Sequence, residues 1–391
     1  MNVAFIGCGY VAEFYARTLG NYPGLTLAGV YDRNAENLAA FCARWGARAY
    51  GSAEQLLGDA SVALVVNLTD PRSHYEVTRR CLAAGKHVYS EKPLAMTAAE
   101  ARVLADLAAQ RGLCLAAAPC SLLSETAQTL WHALRHGAIG RARLAYANFD
   151  DGMIAPALAP WQWRNEAGVA WPAKDEFEVG ATYEHAGYFL TWLAAFFGPA
   201  LRATGFSSCL VRDKGIAVAA MAPDFMSGCI EYGDGVVARV TCSLVAPADK
   251  SLLIVGESGV LRVADLRNDR CPVYVRRIPA AGWRGAIERR VNRLRKALRW
   301  PGAQTEWQLW RRYPRLRASA GRFAGATKPV DFCSGLADMA EAIANKRPPR
   351  LSADLACHIV ELIERLQYPE RYAGRPELVS RFAPIEPLHG R

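Results

Sequence analysis

Val3-Ala4-Phe5-Ile6 is a continuously apolar run of the length a strand buried on both faces needs, and it runs straight into Gly7-Cys8-Gly9-Tyr10-Val11-Ala12. Glu13 to Leu19 then has helical composition, so the order is strand, glycine turn, helix. In that order Gly7 permits the tight turn and Gly9 lets the backbone approach a pyrophosphate. Ala12 is small enough for close helix-to-strand packing, and the helix N-terminus faces the phosphates. A second apolar strand, Leu25 to Tyr31, ends at Asp32, twenty residues beyond Ala12. A carboxylate there can accept hydrogen bonds from an adenosine ribose. The reading is a dinucleotide site built on Gly7, Gly9, Tyr10, Val11, Ala12 and Asp32. Arg33 complicates the choice of dinucleotide. Asp32 favours a free 2′-hydroxyl and hence NAD, whereas an adjacent Arg can pair with the 2′-phosphate of NADP or stack on adenine. The balance leans slightly to NAD.

The alternation continues through strands at Val62–Leu68, Lys86–Tyr89 and Leu113–Ala118, with helices at His74–Ala84 and Thr97–Arg111. The second helix opens on the capping box Thr97-x-x-Glu100. This predicts a doubly wound parallel sheet of the Rossmann type over residues 1–120. With 391 residues the chain has room for two domains. From Ser121 the pattern changes. A helix at Leu122–His136 is followed by runs at Ile139–Phe149, Arg202–Ser208, Phe225–Tyr232, Val236–Leu244, Leu252–Gly256 and Val260–Ala264, joined by turns such as Gly233-Asp234-Gly235. These read as antiparallel hairpins. The class is therefore α/β plus α+β, with a C-terminal domain, 121–391, on a largely antiparallel, open-faced sheet closed by helices at Phe332–Ala344 and Leu351–Leu366.

Ser90-Glu91-Lys92-Pro93 follows the strand that ends at Tyr89, in the ligand crevice of such a sheet, where Pro93 fixes the turn that aims Lys92. With Gly7-x-Gly9-x-x-Ala12, Asn67-x-Thr69-x-Pro71, His74, the glycine-led helix from Gly180 to Phe197 and the tail from Asp331-Phe332 to Leu366, the chain resembles the Gfo/Idh/MocA family of NAD(P)-dependent oxidoreductases. The resemblance spans nearly the whole chain apart from one basic segment. It implies that Lys92 lies at substrate and nicotinamide, and that Asn67, Thr69, Pro71, His74 and Glu91 line the cofactor side. It also implies an open sheet face used for a homo-oligomer.

One departure stands out. The family's helix usually presents an Asp and, four residues later, a His that exchanges the proton; aligned on Gly180, those positions hold Glu184 and Tyr188. On a regular helix i and i+4 share a face, so both can address one substrate. A phenol, whose ordinary pKa of about 10 a neighbouring ammonium lowers, can protonate the alkoxide left by hydride addition. His185, about 100° further round, is a second partner for the site or the acid itself. Expected catalytic residues are thus Lys92, Tyr188, Glu184 and His185. The long loop before this helix carries Trp161, Trp163, Arg164, Trp171, Lys174 and Asp175. Flat aromatics beside charged groups suit a polyhydroxylated or anionic ligand, so Trp163, Arg164, Lys174 and Asp175, with Glu184 and Tyr188, are the expected substrate contacts. The expected reaction moves hydride to or from a CH–OH or C=O carbon of a sugar, inositol or nucleotide-linked sugar. An imine or enone reductase, or a dinucleotide-binding sensor or scaffold without turnover, uses the same features.

The formal charge of +10 invites a nucleic-acid reading until its position is counted. Residues 281–325 hold twelve basic and two acidic side chains, so this insertion carries the whole excess. Within it, Gly285–Trp300 has Ile287, Val291, Leu294 and Leu298 at helical spacing, with Arg289, Arg290, Arg293 and Lys296 mostly on the polar side. Such a helix packs its apolar stripe on its own domain, or uses residues 285–317 to meet a membrane surface or an anionic partner. No reader motif accompanies it, so nucleic acid is not expected. Eleven cysteines without a C-x-x-C pair read as reduced thiols, with no zinc or other metal site. Neither a signal peptide nor a membrane span is legible, so the expected location is cytoplasmic, with a peripheral membrane association through the basic helix.

Overall fold

The computed structural model describes residues 1–152, 162–278, 282–300, 308–316 and 330–388. The first unit runs β1 (Asn2–Ile6), α1 (Ala12–Leu19), β2 (Thr26–Tyr31), α2 (Ala35–Trp45), α3 (Ala53–Gly58), β3 (Leu64–Asn67), α4 (His74–Ala83), β4 (His87–Ser90), α5 (Ala98–Gln110) and β5 (Leu115–Ala117). All neighbours are parallel, in the order β2-β1-β3-β4-β5. The order reverses between β1 and β3, and ligands of open parallel sheets bind beyond the strand ends at such a point. Ile6, Asn67 and Ser90 are in register across β1, β3 and β4 there. The expected capping box is present, with the Thr97 hydroxyl accepting from Glu100 N and the Glu100 carboxylate accepting from Thr97 N. Helix α2, which the apolar spacing did not announce, starts on Asn34, whose side chain accepts from Glu36 N and Asn37 N.

The second unit continues with α6 (Glu125–Arg135), β6 (Ala142–Asp150), α7 (Ala173–Val179), α8 (Gly187–Phe197), β7 (Ala200–Ser208), β8 (Phe225–Tyr232), β9 (Val237–Ser243), β10 (Leu252–Gly256), β11 (Gly259–Val263), β12 (Val273–Arg277), α9 (Gly282–Ala297), β13 (Arg311–Arg312), α10 (Ser334–Ala344) and α11 (Ala353–Gln367). Its sheet order is β13-β12-β11-β10-β6-β9-β8-β7, antiparallel except for the parallel pair β6–β9. Side chains alternate along β6 and β8, so Ala145, Ala147, Phe149, Met226 and Ile230 are buried while Leu144 and, on β7, Phe206 stand exposed on the open face.

One expectation needs refinement. The helix read from Gly180 to Phe197 contains a widened turn near its start. Gly180 has φ +95°, Thr182–Ala186 form one π-helical turn, and regular helix begins only at Gly187. The division near residue 120 separates the two sheets, but α10 and α11 return to the first one. Ala117 N donates to Leu351 O at 3.3 Å, Ala98 N donates to the Glu364 carboxylate at 3.0 Å, and Ala356, Cys357 and Val360 share a core cluster with Val65, Val88 and Leu104. Apolar residues of α11 thus face two domains, a division of labour that periodicity does not show.

Gly335, in the first turn of α10, is the tightest point of this return. A Cβ there would lie 2.3 Å from the hydroxyl of Tyr89, which is fully buried and has no room to swing aside. Gly335→Ala is expected to destabilise the chain by about 1–3 kcal/mol despite alanine's better helix propensity, as measured by urea unfolding.

Candidate active site

The turn after β1 is set by its neighbours. Gly7 has φ +105°, and a Cβ on it would fall 2.4 Å from Leu68 O, so only glycine fits against the chain leaving β3. Gly9 is different, with nothing within 4 Å of an added Cβ; its face opens on the crevice. No side chain caps the N-terminus of α1. An open glycine face beside uncapped helix N–H groups fits the pyrophosphate of a dinucleotide. Asp32 accepts from Cys8 N and Asn34 N, both at 2.7 Å, one on each oxygen. Each oxygen keeps a lone pair for ribose hydroxyls. Arg33 is exposed and lies 3.5 Å from Asp70.

The turn after β3 is braced from within. Asn67, fully buried, donates to His74 O and Thr78 Oγ1, and its carbonyl accepts from Thr69 N and Oγ1. Pro71 opens a short 3₁₀ turn capped by Asp70. Two residues expected against the cofactor, His74 and Glu91, have their polar atoms held by the protein. Both ring nitrogens of buried His74 are engaged by main-chain carbonyls, Nδ1 with Pro93 at 2.6 Å and Nε2 with Thr69 at 3.0 Å. His74 therefore fastens one crevice loop to the other. Glu91 likewise has both oxygens occupied, accepting from the Tyr15 hydroxyl at 2.8 Å and from Lys92 N at 2.9 Å. It holds the backbone from which Lys92 projects.

Lys92 Nζ lies 2.6 Å from Glu184 Oε2, joining the first domain to the π turn of the second. Burial works against the Lys92 charge more than any other single influence. The surrounding acidic groups, Glu184 foremost, outweigh it and hold its pKa above the usual lysine value. Four residues further on, Tyr188 stacks on Phe149 at 5.0 Å between ring centroids, with the Arg267 guanidinium 5.2 Å from its own centroid. Burial pushes the Tyr188 phenol up, against Arg267 and Lys92, so it is protonated at neutral pH. Glu184 meets Lys92 from the π turn, and Tyr188, within electrostatic reach of the same ammonium, stacks with His185 on Phe149.

His185 Nε2 is 3.5 Å from Asp151 and 4.0 Å from Glu176, and its Nδ1 is buried without a partner. Burial lowers its pKa to about 4, making it neutral at physiological pH. Burial would raise Asp151, but the cationic neighbours His185, Lys250 and Arg267 bring it to about 2. Near neutrality Lys250, in ion-pair contact, and Arg267 carry that effect. Glu176 is pushed well up, first by burial and then by Glu184, and its Oε2 has no partner. Tyr10 completes the wall, its phenol within electrostatic reach of Arg267, Glu176 and Asp151. The crevice thus gathers the charges of Lys92, Arg267 and the Lys250–Asp151 pair beside neutral Tyr188 and His185, with Glu176 shifted toward its protonated form.

Phe149, Asp151, Glu176, Lys250 and Arg267 escaped the sequence reading. The end of β6 was expected at Phe149, but nothing marked Asp151 as turned inward. For Glu176 a signal existed. Helix α7 buries Ala173, Glu176 and Phe177 at helical spacing and leaves Lys174 exposed. The substrate loop is corrected accordingly. Lys174 sits 4.0 Å from Glu178, and Arg164 donates to Gly168 O within its own turn. Trp163 packs against Trp171 at 5.5 Å. Only Asp175 keeps company with the site, half-buried and raised by burial and then by Asp70 and Glu184. Trp161 lies outside the described residues. The turn at 165–167 is strapped to the loop and helix after β1 and to α2: Asn165 Nδ2 donates to Tyr10 O at 3.2 Å, Glu166 pairs with Arg17 at 2.8 Å, and Arg44 donates to Ala167 O at 2.6 Å. Among the described residues no cluster of His, Cys, Asp and Glu could hold a metal.

Residues 1–118 match the model of an oxidoreductase family with an NAD-binding Rossmann fold, and residues 127–262 match the GFO/IDH/MocA C-terminal domain. Trans-1,2-dihydrobenzene-1,2-diol dehydrogenase of Mus musculus is 26% identical over 265 residues, which is 67% of this chain and 74% of that one. Among solved structures, UDP-N-acetylglucosamine 3-dehydrogenase from Acidithiobacillus ferrooxidans superposes with TM-score 0.66 at 19% identity, covering 94% of this chain and 96% of that one. A 3-ketoreductase from Actinomadura kijaniata, in complex with TDP-benzene and NADP in an open conformation, gives TM-score 0.68 at 19% identity, with coverage of 94% and 96%.

The neutral His185 makes a testable contribution to acid sensitivity. As pH falls below 6.5 the unfolded chain takes up the imidazole proton before the folded one, so stability is lost progressively toward about pH 4. His185→Gln should remove about 2–3 kcal/mol of the drop in unfolding free energy between pH 7.5 and 4.5, measured by urea titration at each pH.

Proposed function

Because the chain belongs to the Gfo/Idh/MocA family of NAD(P)-dependent oxidoreductases, we propose that it transfers hydride between the nicotinamide and a CH–OH or C=O carbon of a sugar or nucleotide-linked sugar. The observation that carries this reading is the Lys92–Glu184 contact at the carboxyl end of the parallel sheet, with Tyr188 within electrostatic reach of Lys92. The nicotinamide, when bound, supplies or takes the hydride. Lys92 holds and polarises the reacting oxygen, and Glu184 fixes the ammonium for it. Tyr188 hands its phenolic proton to the oxygen as negative charge develops there; even raised by burial, a phenol is far more acidic than the alcohol it creates. Glu176, whose protonated form burial favours, and ionised Asp151 offer hydrogen-bonding partners to ring hydroxyls. Arg267 and Lys250 give the pocket cations suited to an anionic appendage such as a phosphate. Relatives named for acting on a dihydrodiol, on UDP-N-acetylglucosamine and on glucose 6-phosphate support a ring alcohol as the reacting group.

For the cofactor we favour NAD, because the Asp32 carboxylate at the ribose position repels a 2′-phosphate while Arg33 leans toward Asp70. NADH is expected to quench tryptophan fluorescence at lower concentration than NADPH.

Lys92→Ala is expected to keep NADH affinity within about twofold while lowering turnover of a ketosugar or nucleotide-sugar substrate below detection. Tyr188→Phe should lower kcat by roughly 10²–10⁴-fold without a comparable change in cofactor affinity. Turnover unchanged in Lys92→Ala would overturn the assignment.

A further inference from the structure

Helix α9 forms where the apolar spacing placed it, but it is turned the other way from a helix that seals its stripe on its own domain. The side held against the protein carries Gly285 and Glu288, both buried, with Asn292 half-buried one turn on. Glu288 is the pin. Its carboxylate accepts from Arg276 Nη2 of β12 at 3.1 Å and from Leu309 N at 2.6 Å. Ile287, Leu294 and Leu298, at spacings of seven and four, fall on another side and are 40%, 58% and 63% exposed; Trp300 beyond the last turn is 59% exposed. Arg289, Arg290, Arg293 and Lys296 occupy the third side, all exposed, and the edge strand β13 adds exposed Arg311 and Arg312. The helix therefore shows solvent an apolar strip with a basic flank, and its one acid is already spent on Arg276.

We propose that this face docks on an anionic phospholipid surface, with α9 lying in the plane of the interface. Ile287, Leu294 and Leu298 enter the acyl boundary, Trp300 sits at headgroup level, and the arginines meet the phosphates. A second copy of the chain fits the strip poorly. A symmetric contact would set the arginines of one helix against those of the other, and the helix's own acidic side chain, Glu288, is held by Arg276. A lipid surface satisfies the strip and the charge together. The proposal is independent of the reaction assigned above, since none of these residues touches the crevice.

The test is co-sedimentation of the full chain with vesicles of phosphatidylcholine alone and with about 30% phosphatidylglycerol. Binding to the anionic vesicles only is expected, weakening between 50 mM and 500 mM NaCl by about tenfold or more. Two double variants separate the contributions. Leu294→Glu with Leu298→Glu removes the strip, and Arg290→Gln with Arg293→Gln removes part of the flank. Each should weaken partitioning at least tenfold while NADH affinity and near-ultraviolet circular dichroism stay as in the parent. Equal recovery on neutral and anionic vesicles, or no loss in either variant, would overturn the proposal. So would a Leu294→Glu, Leu298→Glu protein whose mass by light scattering falls to that of a smaller oligomer, because the strip would then be covered by a second copy.

Discussion

A lysine ammonium withdrawn from water needs a carboxylate, and Lys92 finds its own on the other domain, 2.6 Å away on Glu184. The remaining parts of the site are arranged around that demand. Glu91 fixes the amide of Lys92 against Tyr15 of α1, His74 ties the turn after β3 to Pro93, and the π turn brings Glu184 to face the ammonium. Removing one member of such a pair leaves an uncompensated buried charge, so binding chemistry and domain alignment rest on the same contact. A substrate oxygen approaching Lys92 meets a cation already positioned, with little left to reorganise.

Much of this was legible in the chain because it is local. The strand-turn-helix at Gly7–Ala12, the capping box at Thr97, and the turn at Glu91-Lys92-Pro93 are each written in a few neighbouring residues whose spacing has one good structural solution. Lys92, Glu184 and Tyr188 were named on that basis and on the resemblance. What stayed hidden depends on tertiary geometry. Arg267 lies beyond β11 and Lys250 before β10, each far in sequence from the Tyr10 or Asp151 it acts on, and no periodicity connects them. The π turn is equally invisible. The stretch Thr182–Phe197 has no proline or charge cluster to mark it, yet the turn from which Glu184 reaches Lys92 is π-helical. The substrate loop is less legible for a related reason: Arg164 donates to Gly168 O within its own turn, and Lys174 sits on α7, 4.0 Å from Glu178, neither of which residue type announces.

The charge map divides the molecule into two regimes. In the crevice, burial favours the neutral forms of His185, Tyr188 and Glu176, and a few fixed ions act through a poorly screened medium. On α9 the arginines are exposed, and salt governs what they do. Both sets are basic on balance, yet a change in ionic strength reaches only the second.

Helix α11 supplies Ala356, Cys357 and Val360 to the core beneath the first sheet, and Leu351 just before it pairs with Ala117 of β5. A chain made from its N-terminus therefore emerges with its nucleotide domain unfinished. That face of the first sheet is covered in part by α3, α4 and α5, and the share that α11 covers is supplied only more than two hundred residues later. Loss of α11 would thus strike the domain encoded first.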